Sequence, residues 1–137
     1  MAFLTLPIYY TQVYKTKPDK TFLVGMNWYR NANPFINNEV KKYYADLISD
    51  QIGQNLNLDK PFQYTLNIKL YYSNPSCDGS NIFALMEKYA LDALQKLAWV
   101  KQDNVKYHLG TTTEVVGKDK DNPRVEIEII RKTDEQV

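Results

Sequence analysis

The feature that most constrains this chain is the run QYTLNIKLYY at 63–72, which leads through one turn into a long amphipathic segment. Tyr64, Leu66, Ile68, Leu70 and Tyr72 alternate with Gln63, Thr65, Asn67, Lys69 and Tyr71. That period of two predicts a strand with one buried face. Beyond the turn SNPSCDG, Ile82, Leu85, Met86, Tyr89, Ala93 and Leu97 form one apolar stripe of a helix from about Ser80 to Leu97. Asn81, Ala84, Lys88 and Asp92 fall on another stripe. A strand and a helix that each bury one side, joined this closely, predict helices laid on a sheet.

The flanking segments extend that plan. Residues 3–15 and 21–29 are rich in Leu, Val, Phe, Tyr and Trp and read as strands separated by KTKPDK. RNANPFINN reads as a loop broken by Pro34, with Asn38 as N-cap of a helix from Glu39 to about Gln54. Residues 53–61 read as a connector, 105–116 as a strand and GKDKDNP as a turn. The last strand, RVEIEII, places Val125, Ile127 and Ile129 on one face, and residues 132–137 read as a frayed tail. The expected fold class is α+β, or mixed α/β, in which two main helices pack on one mixed sheet. With 137 residues this is a single domain, large enough for one core.

Composition narrows the chemistry by exclusion. Cys77 is the sole cysteine, which excludes an intramolecular disulfide and a cysteine-rich zinc site and suits a reducing cytoplasm. His108 is the sole histidine, which excludes a multi-histidine metal site. The five glycines form neither a P-loop nor GxGxxG. No apolar run approaches the roughly 20 residues of a membrane span, and the start lacks the features of a signal peptide. The formal net charge of +1 does not advertise nucleic acid, although a local basic patch is compatible with it. The 11 tyrosines suit stacking on bases and suit ordinary packing equally well.

Carboxylates remain as candidates. Asp78 precedes the helix and Asp103 follows it. Mg²⁺ takes carboxylate oxygens, keeps waters and leaves room for phosphate, and phosphodiester hydrolysis uses such a metal to activate water. Asp78 and Ser80 are equally good helix caps, and Asp103 reads equally well as a solvated loop acid. An 18-residue helix is about 27 Å long, so a straight one cannot bring Asp78 and Asp103 together by itself.

The run CDGSNIFALMEKYALDALQKLAWVKQDNV at 77–105 resembles the RusA family of Holliday junction resolvases. MNWYRNAN, NIKLYYSNPS and NPRVEIEI are similar to the family's surrounding segments, so the resemblance covers roughly residues 22–131. It leaves residues 1–20 as an added strand or hairpin, and its last stretch looks most like phage-borne members. It implies a homodimeric, Mg²⁺-dependent endonuclease, with Mn²⁺ as substitute, acting on four-way DNA junctions in recombination and repair. By position, Asp78 and Asp103 match metal-binding and catalytic aspartates, Lys88 a catalytic lysine that contacts phosphate or stabilises the transition state, and Asn81 a supporting asparagine. Asp92 falls at a structural position.

Three departures accompany the resemblance. Ser80 stands where the family has a second metal-binding aspartate, and Gln102 replaces the first acid of an Asp-Asp pair. The spacing from Asn81 to Lys88 is longer by about one helical turn. Ser80 itself, or Glu87, is the candidate additional ligand. Lys15, Lys17, Arg30, Lys41, Lys42, Lys101 and Lys106 are the expected contacts to the DNA backbone. The loss of one acid equally suits a non-catalytic branched-DNA-binding protein on the same fold. A structural or interaction protein with no DNA role is a third class.

Overall fold

The structure, a computed structural model, describes residues 2–53, 63–97, 99 and 105–132. The elements in chain order are β1 (Ala2–Pro7), β2 (Tyr9–Gln12), β3 (Lys20–Leu23), α1 (Met26–Asn31), α2 (Pro34–Ile52), β4 (Tyr64–Tyr72), α3 (Gly79–Lys96), β5 (His108–Lys118) and β6 (Arg124–Arg131). Four strands form one mixed sheet in the order β1-β6-β4-β5, and β2 and β3 form a separate antiparallel hairpin. β4 runs antiparallel to β6 and parallel to β5. A parallel pair needs a long crossover, and α3 provides it. The expected α+β class, with a mixed sheet, is the one observed.

The predicted alternation is the physical basis of the core. Tyr64, Leu66, Ile68 and Leu70 of β4 lie beside Val125, Ile127 and Ile129 of β6, and all are buried. Val40, Tyr44 and Ile48 of α2 join Ile82, Leu85, Met86 and Tyr89 of α3 in the same cluster. Each such side chain contributes roughly 1.5–3 kcal/mol by leaving water. Tyr44 stacks on Tyr89 with ring centroids 5.0 Å apart, which fastens the two helices to each other.

The N-terminal segment is no appendage. β1 pairs with β6 along its whole length, and Leu4, Leu6 and Ile8 are fully buried in the main core. On the outer side of β1 a side chain replaces a missing strand. Gln51 of α2 accepts from Thr5 N at 2.8 Å and donates to Thr5 O at 2.7 Å. An exposed edge is thus closed by one amide.

Three sequence boundaries shift, each for a local reason. The strand expected over 3–15 is two strands, β1 and β2, the first ending at Pro7, which has no N–H for a ladder. The strand expected over 21–29 stops at Leu23, and Met26–Asn31 is helical. The helix expected from Glu39 begins five residues earlier, at Pro34. Asn33, not Asn38, is its N-cap and accepts from Phe35 N at 2.8 Å. Pro34 occupies the first helical position, where the absent N–H costs nothing. α2 closes at Gly53, whose φ of 65° favours glycine and whose carbonyl accepts from Trp99 Nε1 at 2.7 Å. The connector at 54–62 and the tail at 133–137 lie outside the described residues.

Candidate functional site

Asp78 sits where β4 has ended and α3 begins, at the carboxyl end of the parallel strands. Open α/β sheets tend to place ligands at that end. Its carboxylate caps the helix: Oδ1 accepts from Asn81 N at 3.3 Å and from Ser80 Oγ at 2.8 Å. Both bonds fall on Oδ1, so the cap leaves Oδ2 for another partner. Asp78 and Ser80 are both exposed. The cap reading and a ligand role therefore coexist on one side chain.

Asn81 has a different task. α1 starts at Gly25, which has no side chain to cap it, and Asn81 supplies the cap from the neighbouring helix by accepting from Asn27 N at 2.6 Å. The approach is tight, because a Cβ on Gly25 would stand 2.5 Å from Asn81 Nδ2. The side chain expected to support a ligand is thus engaged in holding α1 against α3.

α3 is one unbroken helix from Gly79 to Lys96, which fixes the remaining spacings. Lys88 stands about 15 Å along the axis from Asp78, and Glu87 about 13 Å, from the 1.5 Å rise per residue. A cation bound at 2.0–2.6 Å from Asp78 is beyond the reach of Glu87, whereas Ser80 lies in contact with Asp78. Ser80 and Glu87 do share a face, and with Phe83, Thr111 and Thr113 they line a shallow cleft between α3 and β5. Asp103, Gln102 and Lys101 lie outside the described residues. Among the described residues no three His, Cys, Asp or Glu side chains gather as a metal site.

A second feature assembles where α2 and α3 run together. Lys41 and Lys42 from α2 and Lys88 and Lys96 from α3 line one groove with Asp46 and Asp92, four cations against two anions. Lys88 Nζ lies 3.6 Å from Asp92 Oδ2, with side chains 40% and 36% exposed, so this pair contributes only a few tenths of a kcal/mol. Tyr89 also lines the groove, and its buried hydroxyl has no hydrogen-bond partner. Burial raises the Tyr89 and Tyr44 phenols well above the usual tyrosine range, so both stay neutral.

The other expected DNA contacts are dispersed. Lys15 and Lys17 sit on the exposed β2–β3 connection, where Lys17 Nζ lies 4.2 Å from the Tyr14 ring centroid. Arg30 is in the last turn of α1. Lys106 precedes β5, with Nζ 5.5 Å from the Tyr107 ring centroid. Lys96 was not among the expected contacts, and the signal for it was present: it lies eight positions after Lys88, on the same side of the helix.

Cys77 is half-buried rather than fully buried, and burial raises its thiol pKa, which argues against a reactive thiolate. Among the described residues, no helix is long and apolar enough to cross a membrane. No protein-family model and no curated protein matches the chain.

Proposed function

We propose that this protein is a RusA-like Holliday junction resolvase, a Mg²⁺-dependent endonuclease that nicks four-way DNA junctions as a homodimer. The observation that carries the reading is the α2–α3 groove, where Lys88 of the RusA-like run joins Lys41, Lys42 and Lys96. In a near-neutral chain these four lysines outnumber the two carboxylates of the same groove, a local positive surface of the kind a phosphate backbone favours.

Asp78 Oδ2 and the Ser80 hydroxyl are the residues that would hold Mg²⁺ at the start of α3, and Asp103, which the resemblance implies as a further ligand, follows the far end of that unbroken helix. The donor set suits the ion, since Mg²⁺ is usually bound through one or two carboxylates and retains waters. When bound, the ion would activate water and neutralise charge at phosphorus. The helix keeps Lys88 about 15 Å from Asp78, so within one subunit the two serve different phosphates. Lys88 is then a backbone-positioning residue, and junction shape rather than base sequence supplies selectivity.

The test is cleavage of a labelled four-way junction in Mg²⁺ or Mn²⁺, beside a linear duplex of the same sequence. Asp78→Asn is the informative variant, because asparagine caps a helix about as well as aspartate and removes only the charge. Paired symmetrical nicks that disappear in Asp78→Asn are expected. Nicking that persists at full rate in that variant would remove Asp78 from the chemistry.

A second reading, a non-catalytic branched-DNA-binding protein, is favoured by one observation. The Ser80 hydroxyl at the expected aspartate position donates to Asp78 instead of adding charge. Junction binding without nicks in either metal would select it.

A further inference from the structure

The hairpin β2–β3, helix α1 and the start of α2 line a second pocket, separate from the lysine groove. Its walls are aromatic. Phe22 and Trp28 stack with centroids 4.9 Å apart and planes 24° from parallel. Phe35, in the first turn of α2, lines the pocket while 87% exposed. An aromatic ring that exposed, lining the same pocket as two other rings, is apolar surface the fold has not used.

The polar lining consists mainly of side-chain amides with free groups. Asn33 spends Oδ1 on the cap of α2, which leaves its Nδ2. Gln12 Oε1 accepts from the Tyr14 hydroxyl, which leaves its Nε2. Among the described residues the Asn27 side chain has no hydrogen-bond partner, only its backbone N–H and carbonyl being engaged. Lys20 adds one cation, and the Glu39 carboxylate opposite already accepts from Tyr10 at 2.8 Å. Burial, together with that bond, raises the Tyr10 phenol to about 12.

We infer that this pocket takes an unpaired nucleobase of a DNA strand, stacked on the Phe22–Trp28–Phe35 rings with its edge read by the amides of Gln12, Asn27 and Asn33. The chemistry selects a base over a phosphate. Asn27 offers both a donor and an acceptor, and Gln12 and Asn33 a donor each, matching the mixed edge of a heterocycle. One lysine against one glutamate is a poor phosphate site, and aromatic faces stack every base. Pairing hides that edge in duplex DNA, so the ligand is a base at a branch point or in a single strand. The inference rests on the DNA reading above and assigns this pocket the bases, while the α2–α3 groove takes the backbone.

Trp28 reports the event directly, because the only other tryptophan is Trp99. In the full chain carrying Trp99→Phe, emission is followed during titration with a six-nucleotide single strand, an abasic backbone of equal length, and deoxyadenosine monophosphate alone. The expected result is quenching by the base-bearing strand and little by the abasic one. Phe35→Ala, whose ring is nearly all in solvent and so adds little to folding, should weaken that binding roughly tenfold, the loss of one stacking partner. Equal quenching by the abasic strand, indifference to Phe35→Ala, or the mononucleotide binding as tightly as the strand would each overturn the assignment. A junction cleaved without base-dependent quenching fails this pocket alone. Quenching without junction binding or cleavage fails the resolvase reading alone.

Discussion

The two halves of α3 handle polar side chains in opposite ways. At its start Asp78 caps the helix, Ser80 donates to Asp78, and Asn81 crosses to cap α1. In its second half Lys88 and Lys96 face a groove shared with Lys41 and Lys42, and among the described residues only one loose pair, at 3.6 Å, engages any of the four lysines with a carboxylate. One end spends most of its polar groups on folding, and the other leaves its lysines on the surface. The difference teaches where a mutation should be read as stability and where as binding.

The comparison breaks most severely at Gly25. A valine there would place carbon 2.5 Å from Asn81 Nδ2 and 3.1 Å from its Cγ, expelling the amide that caps α1. Gly25→Val should cost about 3 kcal/mol of stability, from overpacking and a lost cap together. Chemical denaturation followed by circular dichroism checks this, and a midpoint equal to that of the natural chain would refute the trans cap.

The lysine-bearing half responds next. Replacing Lys41, Lys42 and Lys88 together by glutamine should leave the denaturation midpoint within about 0.5 kcal/mol. The same variant should lower the slope of log affinity against log salt by about 3 units, close to one per phosphate contact. Fluorescence anisotropy on a four-way junction at several salt concentrations measures that slope. A loss of stability with an unchanged slope would invert the assignment of the two halves.

At the helix start, Asp78→Ala should cost about 1 kcal/mol, the ordinary value of an N-cap, whereas Asp78→Asn should cost a few tenths. The pair of variants sharpens the comparison, because only the alanine removes the cap while both remove the charge. Equal destabilisation by the two would mean that the cap does not matter.

The smallest effect is expected at Tyr89. Its hydroxyl is buried without a partner, a condition that costs rather than contributes free energy. Tyr89→Phe should therefore be neutral or stabilise by up to about 1 kcal/mol in the same denaturation assay. Destabilisation beyond that would show that the hydroxyl has a partner after all.

Much of this was legible in advance where it depended on short-range periodicity. The alternation through β4 and the 3.6-residue stripe of α3 placed both elements within one residue of their observed bounds, Tyr64–Tyr72 and Gly79–Lys96. Pro34 was misleading because proline signals both the end and the start of a helix, and the Asn33 cap decides between them. Gly25 was missed because its role depends on Asn81, distant in sequence. Residues 1–20 read as an extra because only pairing with β6 reveals Leu4 and Leu6 as core. The aromatic pocket was equally hidden, its rings coming from β3, α1 and α2.

The sequence by itself determined which faces must be buried, because hydrophobic burial acts residue by residue and its period can be read along a line. It also determined what chemistry is absent, since one histidine and one cysteine exclude whole classes of site. Only the tertiary structure decided which polar groups are consumed. Whether Asn81 caps a neighbouring helix, or whether Lys41 and Lys88 face one groove, depends on contacts between segments far apart in the chain. Hydrogen bonds and charges act over a few ångströms, and sequence distance carries no information about that separation.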